Sequence, residues 1–328
     1  MNIPLSLLDL APIRRGETAG DSFAASVTLA QRAEQLGYRR VWYAEHHNIA
    51  TIASSATSVL IAHIAAHTRE IRLGAGGIML PNHSPLTIAE QFGTLESLHP
   101  GRIDLGLGRA PGSDQATMRA LRRSAGSAEG FPEDVLELQG YLSGESRIPG
   151  VDAIPGKATN VPLYILGSSM FGATLAASVG LPYAFASHFA PDLLQDAVAA
   201  YRREFRPSAQ LDQPYVIAGV NVVAADTSGE AEEQFLAAKR SRVSSMLGRG
   251  TTFTDDEADA LLASPAGQQI RQMVTYTAVG TAAEISRYIE AFAEHSDANE
   301  LITVHPAPTA VARLRSVELL ADSLTLPA

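Results

Sequence analysis

The stretch PLYILGSSMFGATLAASVGLPYAFASH, residues 162–188, contains the repeating unit that decides the fold. The apolar run at 162–167 predicts a strand, residues 169–180 have helical periodicity, and 183–187 predict a second strand. A strand, a helix and a second strand in this order favour two parallel strands joined by a crossover helix.

The same alternation continues in both directions from this unit. The predicted strands are 3–9, 39–44, 71–77, 102–108, 162–167, 183–187, 215–224 and 300–304. The predicted helices are 22–37, 55–67, 85–98, 130–143, 169–180, 190–205, 228–246, 281–294 and 309–321. Because eight strands, each followed by a helix, close into a ring, the sequence predicts an α/β protein with one (β/α)8 TIM barrel domain over 1–328.

Two stretches interrupt the alternation, 109–129 after the fourth strand and 247–280 before the eighth unit. Long loops in compact domains are more often functional or mobile than accidental. We therefore expect insertions at both places, with 247–280 as the candidate lid over the active site.

Composition and charge exclude several classes of function. The 328 residues carry a net charge of −10 and include no cysteine. Nucleic acids and anionic membranes need clustered Lys and Arg, so neither is an expected partner. Without cysteine there is no disulfide, thiolate nucleophile or zinc-thiolate site. Since neither a signal peptide nor a membrane-spanning run is evident, we expect a cytoplasmic protein that acts on small molecules.

Chemically capable residues follow the ends of predicted strands, where barrels of this kind build their active sites. Four of the nine histidines are among them, namely His46, His47, His188 and His305. For each one alone, a loop histidine satisfied by solvent or backbone is an equal alternative. Their convergence on one rim favours a site there.

A phosphate site is predicted between the fourth and fifth strands. Gly167, Ser168 and Ser169 open the helix at 169–180, where free N–H groups and the positive end of the helix dipole attract anions. A plain helix cap explains this triplet equally well when it is taken alone. Arg109, at the end of the neighbouring strand, could add a bidentate guanidinium to the same phosphate.

The glycines of Gly74-Ala75-Gly76-Gly77 fall within a predicted buried strand. Glycine weakens strand packing and marks a bulge or a close approach by backbone or ligand. A flat ring could therefore lie on this strand, and a tight barrel corner is the alternative.

Three other sequence patterns do not form complete functional motifs. Gly106-Leu107-Gly108-Arg109-Ala110-Pro111 ends in proline where a dinucleotide fingerprint needs glycine or alanine. His63 and His67 have the spacing of a zinc pair without the glutamate of a zinc protease, and no carboxylate cluster completes a metal site. No Gly-x-Ser-x-Gly elbow supports a hydrolase.

Taken in order, the rim motifs resemble the luciferase-like flavin monooxygenases over nearly the whole chain. The motifs are VWYAEHH (41–47), GAGGIMLP (74–81), AEQ (89–91), LHPGRIDLGLGR (98–109), LGSS (166–169), GLPYAFASHF (180–189) and VGT (279–281). None is diagnostic alone, and the ordered set is specific.

The resemblance implies a barrel that takes reduced FMN from a separate flavin reductase and uses it with O2 to oxygenate a small organic substrate. It assigns His46 to hydrogen bonding and proton exchange with the flavin, which suits an imidazole. It implies a non-proline cis peptide under the flavin ring at Gly76 and Gly77. The implied phosphate-binding positions are Arg109, Gly167, Ser168 and Ser169.

Two other functions fit the same barrel. One is an F420-dependent oxidoreductase that transfers hydride, and the other is a flavin-binding protein without catalysis. The family's luciferases carry cysteine where this chain has Gly108 and glutamate where it has Gly167, so the resemblance does not extend to light emission.

The remaining expectations concern the pocket and the assembly. Strand-end position alone places Leu7, Asp9, Trp42, His188 and Phe189 in the substrate pocket. The resemblance also implies a homodimer through the first helices. The small apolar face formed by Ala53, Ala56, Val59 and Leu60 would allow it, and packing against the barrel explains that face equally well.

Overall fold

Strands and helices alternate through residues 3–110, 114–248 and 253–324, which the computed structural model describes. The strands are β1 (Leu5–Asp9), β2 (Arg40–Tyr43), β3 (Arg72–Met79), β4 (Ile103–Gly108), β5 (Leu163–Gly167), β6 (Tyr183–Phe185), β7 (Val216–Ala224), β8 (Thr277–Gly280) and β9 (Glu300–Val304). The helices are α1 (Ala19–Gln35), α2 (Thr57–Ala65), α3 (Pro85–Leu98), α4 (Gln115–Ala120), α5 (Phe131–Ser143), α6 (Met170–Val179), α7 (Leu194–Glu204), α8 (Ser228–Leu247), α9 (Asp255–Ala263), α10 (Gln268–Met273), α11 (Ala282–Ser296) and α12 (Ala310–Ser323). The predicted unit at 162–188 is β5, α6 and β6.

Eight parallel strands close into a ring. Strands β1 to β7 pair in chain order, β7 pairs with β9, and β9 pairs with β1 through Leu5 and Leu301. This is the predicted (β/α)8 TIM barrel, and the fold class is confirmed. The organisation of 1–328 as one domain stays a prediction.

Alternation of side chains along each strand separates two hydrophobic layers. In β1, Leu5 and Leu7 face outwards into the large core beneath the helices, whereas Leu8 faces the barrel interior. The interior residues, called here the lumen cluster, are Leu8, Trp42, Ala44, Tyr164, Ala184, Ile217, Ile302 and Val304. The lumen is therefore filled by side chains at mid-height.

A buried ionic network lies in the lumen next to this cluster. Arg40 Nη1 donates to Asp104 Oδ2 at 2.7 Å and to the Tyr164 hydroxyl at 2.7 Å, and its Nη2 donates to Glu300 Oε2 at 3.1 Å. The Tyr215 hydroxyl donates to the same Glu300 oxygen at 2.7 Å. Arg40, Asp104 and Glu300 are all buried, so the network joins β2, β4, β5 and β9 away from water.

The segment between β7 and α11 differs from the prediction. Helix α11 contacts both α7 and α12, so it fills the place between them in the outer ring. Helix α8 contacts β7, β8, α9 and α10 instead. The insertion therefore begins with α8 rather than at residue 247, because periodicity identifies a helix without showing what it packs against.

Strand β8 was not predicted. It pairs only with the C-terminal end of β7, from Asn221↔Thr277 to Ala224↔Gly280, outside the closed ring. Helices α8, α9 and α10 share a small hydrophobic cluster of Val243, Ala258, Leu262 and Ile270. The described part of 247–280 is thus packed structure; residues 249–252 lie outside the described residues, and closure as a lid stays a prediction.

His305 does not lie at the rim, contrary to the prediction. Its Nδ1 is 2.8 Å from Ser316 Oγ on α12 and its Nε2 is 3.0 Å from Thr303 Oγ1. Burial, assisted by the charge of Arg313, lowers the pKa of His305 to about 3. The ring is a packed, neutral element between β9 and α12.

None of the described helices is long and apolar enough to cross a membrane.

The ionic network gives the first prediction. Replacing Arg40 by leucine is expected to lower the free energy of unfolding by about 3–5 kcal/mol, because Asp104 and Glu300 would lose their buried partner. Urea unfolding measures the change. The control is Arg315→Leu, which removes an exposed pair with Asp226 and should have little effect. Equal losses in the two variants would contradict a structural role for the network.

The buried imidazole of His305 gives a prediction about pH. An unfolded histidine has a pKa of about 6.5, so between that pH and about 3 the unfolded chain binds a proton that the folded His305 excludes. The free energy of unfolding should therefore fall as the pH drops through this window. In His305→Gln the slope should be smaller by about one proton, or about 1.4 kcal/mol per pH unit. His67→Gln, at an exposed histidine, should keep the original slope.

Candidate active site at the C-terminal end of the barrel

His46 follows β2 and lies two residues beyond Ala44, which belongs to the lumen cluster. Its backbone N–H donates to the Ser54 carbonyl at 2.9 Å, and its carbonyl accepts from Ser55 Oγ at 2.8 Å. Its Nδ1 is buried and has no hydrogen-bond partner among the described residues. The loop is therefore held by its backbone, and a ring nitrogen is left for a ligand.

Burial lowers the pKa of His46, although the charge of Glu45 opposes this. The imidazole is accordingly neutral at physiological pH. A neutral ring can donate or accept a proton, depending on the tautomer, and this is what a proton-transfer residue requires.

His188 lies beyond β6 and packs against β7. A Cβ added at Gly219 would lie 2.4 Å from His188 Nδ1, so only glycine leaves room for this ring. Asn221 Nδ2 donates to the His188 carbonyl at 2.6 Å. Burial, with smaller contributions from the charges of Arg242 and His46, lowers the pKa of His188 to about 3. His46 and His188 are therefore both neutral at physiological pH.

The glycines of β3 form a bulge beside β4. The peptide bond between Gly76 and Gly77 is cis, at the place that the resemblance implied. A Cβ at Gly77 would lie 2.7 Å from the Gly106 carbonyl oxygen, and one at Gly76 would lie 2.9 Å from both Leu8 Cδ1 and Trp42 Cβ. Gly77 is therefore needed for the close approach of two strands, and Gly76 leaves room for Leu8 and Trp42 while its own backbone stays partly exposed.

The predicted phosphate residues come together at the start of α6. Ser169 is the N-cap of this helix but makes no side-chain capping bond, so the first N–H groups are uncapped. The Arg109 guanidinium lies over the ring of Phe171, 4.1 Å from its centroid. Arg109, Ser168 and the α6 N-terminus therefore share one side of the mouth, next to Gly167 at the end of β5. Pro111 and Gly112, which follow Arg109, lie outside the described residues.

Trp42 and Phe189 occupy different levels of the pocket. Trp42 is only 1% exposed, donates from Nε1 to Asp104 Oδ2 at 3.2 Å, and meets Tyr164 edge to face. Phe189 is 42% exposed and its ring meets His188 edge to face at 5.0 Å. Trp42 is therefore part of the floor, and Phe189 stands at the rim.

Asp9 and Leu7 do not belong to the pocket, which corrects the prediction. The Asp9 carboxylate accepts from Arg313 Nη1 at 2.8 Å, from Ser26 Oγ at 2.6 Å and from the Ala11 N–H at 2.8 Å. Alternation along β1 turns Leu7 and Asp9 outwards, towards the helices. Asp9 thus joins β1 to α1 and α12, and the same alternation could have revealed this from the sequence.

Glu45 is a site residue that the prediction missed. It accepts hydrogen bonds from His47 Nε2 at 2.8 Å, His83 Nε2 at 3.0 Å and the Met79 N–H at 3.0 Å. Burial opposes the ionised form, but these bonds hold the pKa of Glu45 below its ordinary value. Glu45 thereby fastens the chain after the β3 bulge to the loop that carries His46.

Arg242 on α8 was also missed. Its side chain is partly buried and has no hydrogen bond or ion pair with a described residue. No sequence signal marks it, because α8 is remote in sequence from every motif of the rim. Within the described residues, no group of three or more His, Asp or Glu side chains is arranged to hold a metal ion.

Comparison with known proteins matches this arrangement to a family. The family model for luciferase-like monooxygenases matches residues 4–298. A luciferase-like monooxygenase of Escherichia coli K12 is 46% identical over 325 residues, which cover 98% of this chain and 96% of that protein. The N-acetyl-S-alkylcysteine monooxygenase of Bacillus subtilis is 34% identical, with 98% of each chain covered.

Solved structures have the same fold. Apo-MsnO8 superposes with a TM-score of 0.87 at 33% identity and 99% coverage of both chains. The oxygenating constituent of 3,6-diketocamphane monooxygenase from Pseudomonas putida, in complex with FMN, gives 0.75 at 17% identity and covers both chains fully, at 100%. An F420-dependent secondary alcohol dehydrogenase gives 0.71 at 16% identity and 99% coverage of both.

The matches span the barrel from β1 to α11 and include relatives well above 30% identity over almost the whole chain. The chain therefore belongs to the luciferase-like monooxygenase family.

Proposed function

We propose that this protein is an FMN-dependent monooxygenase, which uses reduced FMN from a separate reductase and O2 to oxygenate a small organic substrate. The observation that carries the proposal is the mouth of the barrel. There an uncapped helix N-terminus with Arg109 lies on one side, bare glycine backbone lies beside it, and an unpartnered imidazole nitrogen of His46 completes the site.

The phosphate of FMN fits the start of α6. Its N–H groups and the helix dipole favour a dianion, and the hydroxyls of Ser168 and Ser169 make no hydrogen bond with a described residue. Arg109 supplies the charge, and its contact with the Phe171 ring holds the guanidinium beside the helix.

The flavin ring fits the bare backbone at Gly76 and Gly77. Leu8 and Trp42 already occupy the space that a side chain at Gly76 would need. Gly76 is partly exposed, so its backbone is the part that a flat ring can approach. His46 and His188 follow β2 and β6 at the same end of the barrel. The apolar side chains of the lumen cluster close this end of the barrel from below.

Reduced FMN, when bound, supplies the two electrons needed to activate O2. The chain supplies the other requirements. His46 holds or transfers a proton at its free Nδ1. Its lowered pKa keeps the imidazole neutral at neutral pH. The lumen cluster and the α8–α10 insertion exclude water. Water in the site would let the activated oxygen be lost in a side reaction without oxygenating the substrate.

The relatives suggest first substrates and partners. Because one relative at 34% identity is named N-acetyl-S-alkylcysteine monooxygenase, S-alkylated cysteine derivatives are the first compounds to test. A homodimer through the first helices stays part of the proposal. Val59 on α2 is 68% exposed and available to such a contact, whereas Leu60 is buried in the barrel core.

The phosphate site yields a binding prediction. Arg109→Ala is expected to weaken FMN binding by roughly 10- to 100-fold, because a hydrogen-bonded charge on the phosphate is lost. Ser168→Ala should weaken it less. Fluorescence titration of FMN measures both, and Arg119→Ala, an exposed arginine on nearby α4, is the control. Tight F420 binding with none for FMN would instead favour the hydride-transferring alternative.

The free nitrogen of His46 yields a kinetic prediction. His46→Ala should keep FMN affinity within about threefold of the wild type, since the phosphate contacts remain. It should nevertheless slow oxygenation at least ~100-fold, the scale of a lost proton-transfer group. The wild-type rate should be level at neutral pH and fall only below about pH 6.5, because protonation of His46 occurs below its ordinary pKa.

Oxygen uptake and product analysis with bound reduced FMN measure these rates. His305→Gln is the matched control, since it removes a buried imidazole that lies away from the mouth. A His46→Ala protein with unchanged rates and pH profile would leave only the non-catalytic flavin-binding alternative.

A further inference from the structure

Helix α8 differs from the barrel helices in what it faces. It starts three residues after β7 ends and packs on β7 and β8, while α11 takes the outer position between α7 and α12. A helix that leaves the outer ring at the C-terminal end of a strand is placed at the mouth, where these barrels bind substrate. Side chains on its inward face can therefore reach the site.

Two arginines on α8 have opposite surroundings. Arg240 donates from Nε to Asp259 Oδ1 at 2.8 Å and from Nη1 to Asp255 Oδ2 at 2.7 Å, so it fastens α8 to α9. Arg242 has no hydrogen bond or ion pair with a described residue, although its side chain is partly buried. A guanidinium withdrawn from water without a partner is unfavourable, and a bound anion would relieve that cost.

No carboxylate of the described residues contributes to the pKa of Arg242. Burial alone lowers its pKa, and no carboxylate acts in the opposite direction. The positive charge of Arg242 also helps to lower the pKa of His188, so it favours the neutral form of that ring. The charge of Arg242 therefore acts at the same end of the barrel as His188.

Other polar atoms at this place also lack partners. His188 Nδ1 and Asn221 Oδ1 are buried without a hydrogen bond to a described residue, and Asn221 is 1% exposed. Buried polar atoms are normally paired, so two unpaired atoms beside β7, the strand against which α8 packs, favour a ligand at this end of the barrel.

We propose that Arg242 binds a carboxylate of the substrate, so that the site selects small organic acids over their neutral analogues. The proposal rests on the proposed monooxygenase function for what happens to the substrate, but not for the binding itself. A planar guanidinium fits a carboxylate with two parallel hydrogen bonds. The flavin phosphate is assigned to a different place, Arg109 and the start of α6, between β4 and β5.

The test compares each acid with a neutral analogue of nearly the same shape. Calorimetry measures binding of N-acetyl-S-methylcysteine against its methyl ester, and of 3-phenylpropanoate against its amide, to the FMN-loaded and the FMN-free protein. The wild type should bind at least one acid on the order of 10- to 100-fold more tightly than its neutral analogue. Absence of any such preference in both pairs would overturn the proposal.

Variants of Arg242 identify the residue responsible. Arg242→Gln should remove the preference for the acid, and Arg242→Lys should keep part of it, since the charge remains without the planar fork. The matched control, Arg240→Gln, should keep the full preference. Loss of the preference in Arg240→Gln, or its retention in Arg242→Gln, would overturn the assignment.

Two further measurements separate this role from others. Arg242→Gln should unfold at the same temperature as the wild type or higher, because it loses no contact, whereas a structural arginine would lower that temperature. Its FMN affinity should be unchanged. A parallel loss of FMN affinity would place Arg242 on the cofactor and overturn the proposal, while failure of the wild type to bind FMN would count against the proposed function alone.

Discussion

The structure depends on one buried charge, the guanidinium of Arg40 in the lumen. Arg40 lies on β2, and its guanidinium donates hydrogen bonds to Asp104 on β4, Tyr164 on β5 and Glu300 on β9. A buried cation must be paired, so strands from both halves of the ring have to meet around it for the barrel to close. This network and the lumen cluster fill the interior of the barrel below its C-terminal mouth.

The fold could be predicted because every barrel strand and outer helix has its own local pattern. The βαβ unit at 162–188 and helix α3 match the sequence prediction to within one or two residues. The prediction failed where packing partners decide the structure. Strand β8 has four residues and pairs only with the end of β7, and α8 has ordinary helical periodicity although it packs at the mouth. Neither fact is encoded in a local pattern.

The candidate site shows the same division. The rule that active-site residues follow barrel strands brought His46, His188, Arg109 and Ser168 to one mouth, because strand direction alone fixes that end. It failed for Asp9 and His305, whose side chains turn towards α1 and α12. For Asp9 the alternation of β1 was visible in the sequence. Arg242 could not have been identified from the sequence, because a sequence does not show which buried side chains lack a hydrogen-bond or ion-pair partner.

Some arginines stabilise the fold and others are available to bind a ligand, and the difference is whether a carboxylate of the same chain pairs with them. Arg40 and Arg313 are buried against carboxylates of the same chain, so their charges are used within the fold. Arg109 and Arg242 have no carboxylate partner among the described residues; one lies over an aromatic ring beside a helix N-terminus and the other lies near a neutral histidine. A protein with a net charge of −10 has ample carboxylates to pair every arginine. Two cations without a carboxylate partner among the described residues therefore favour ligands that carry negative charge.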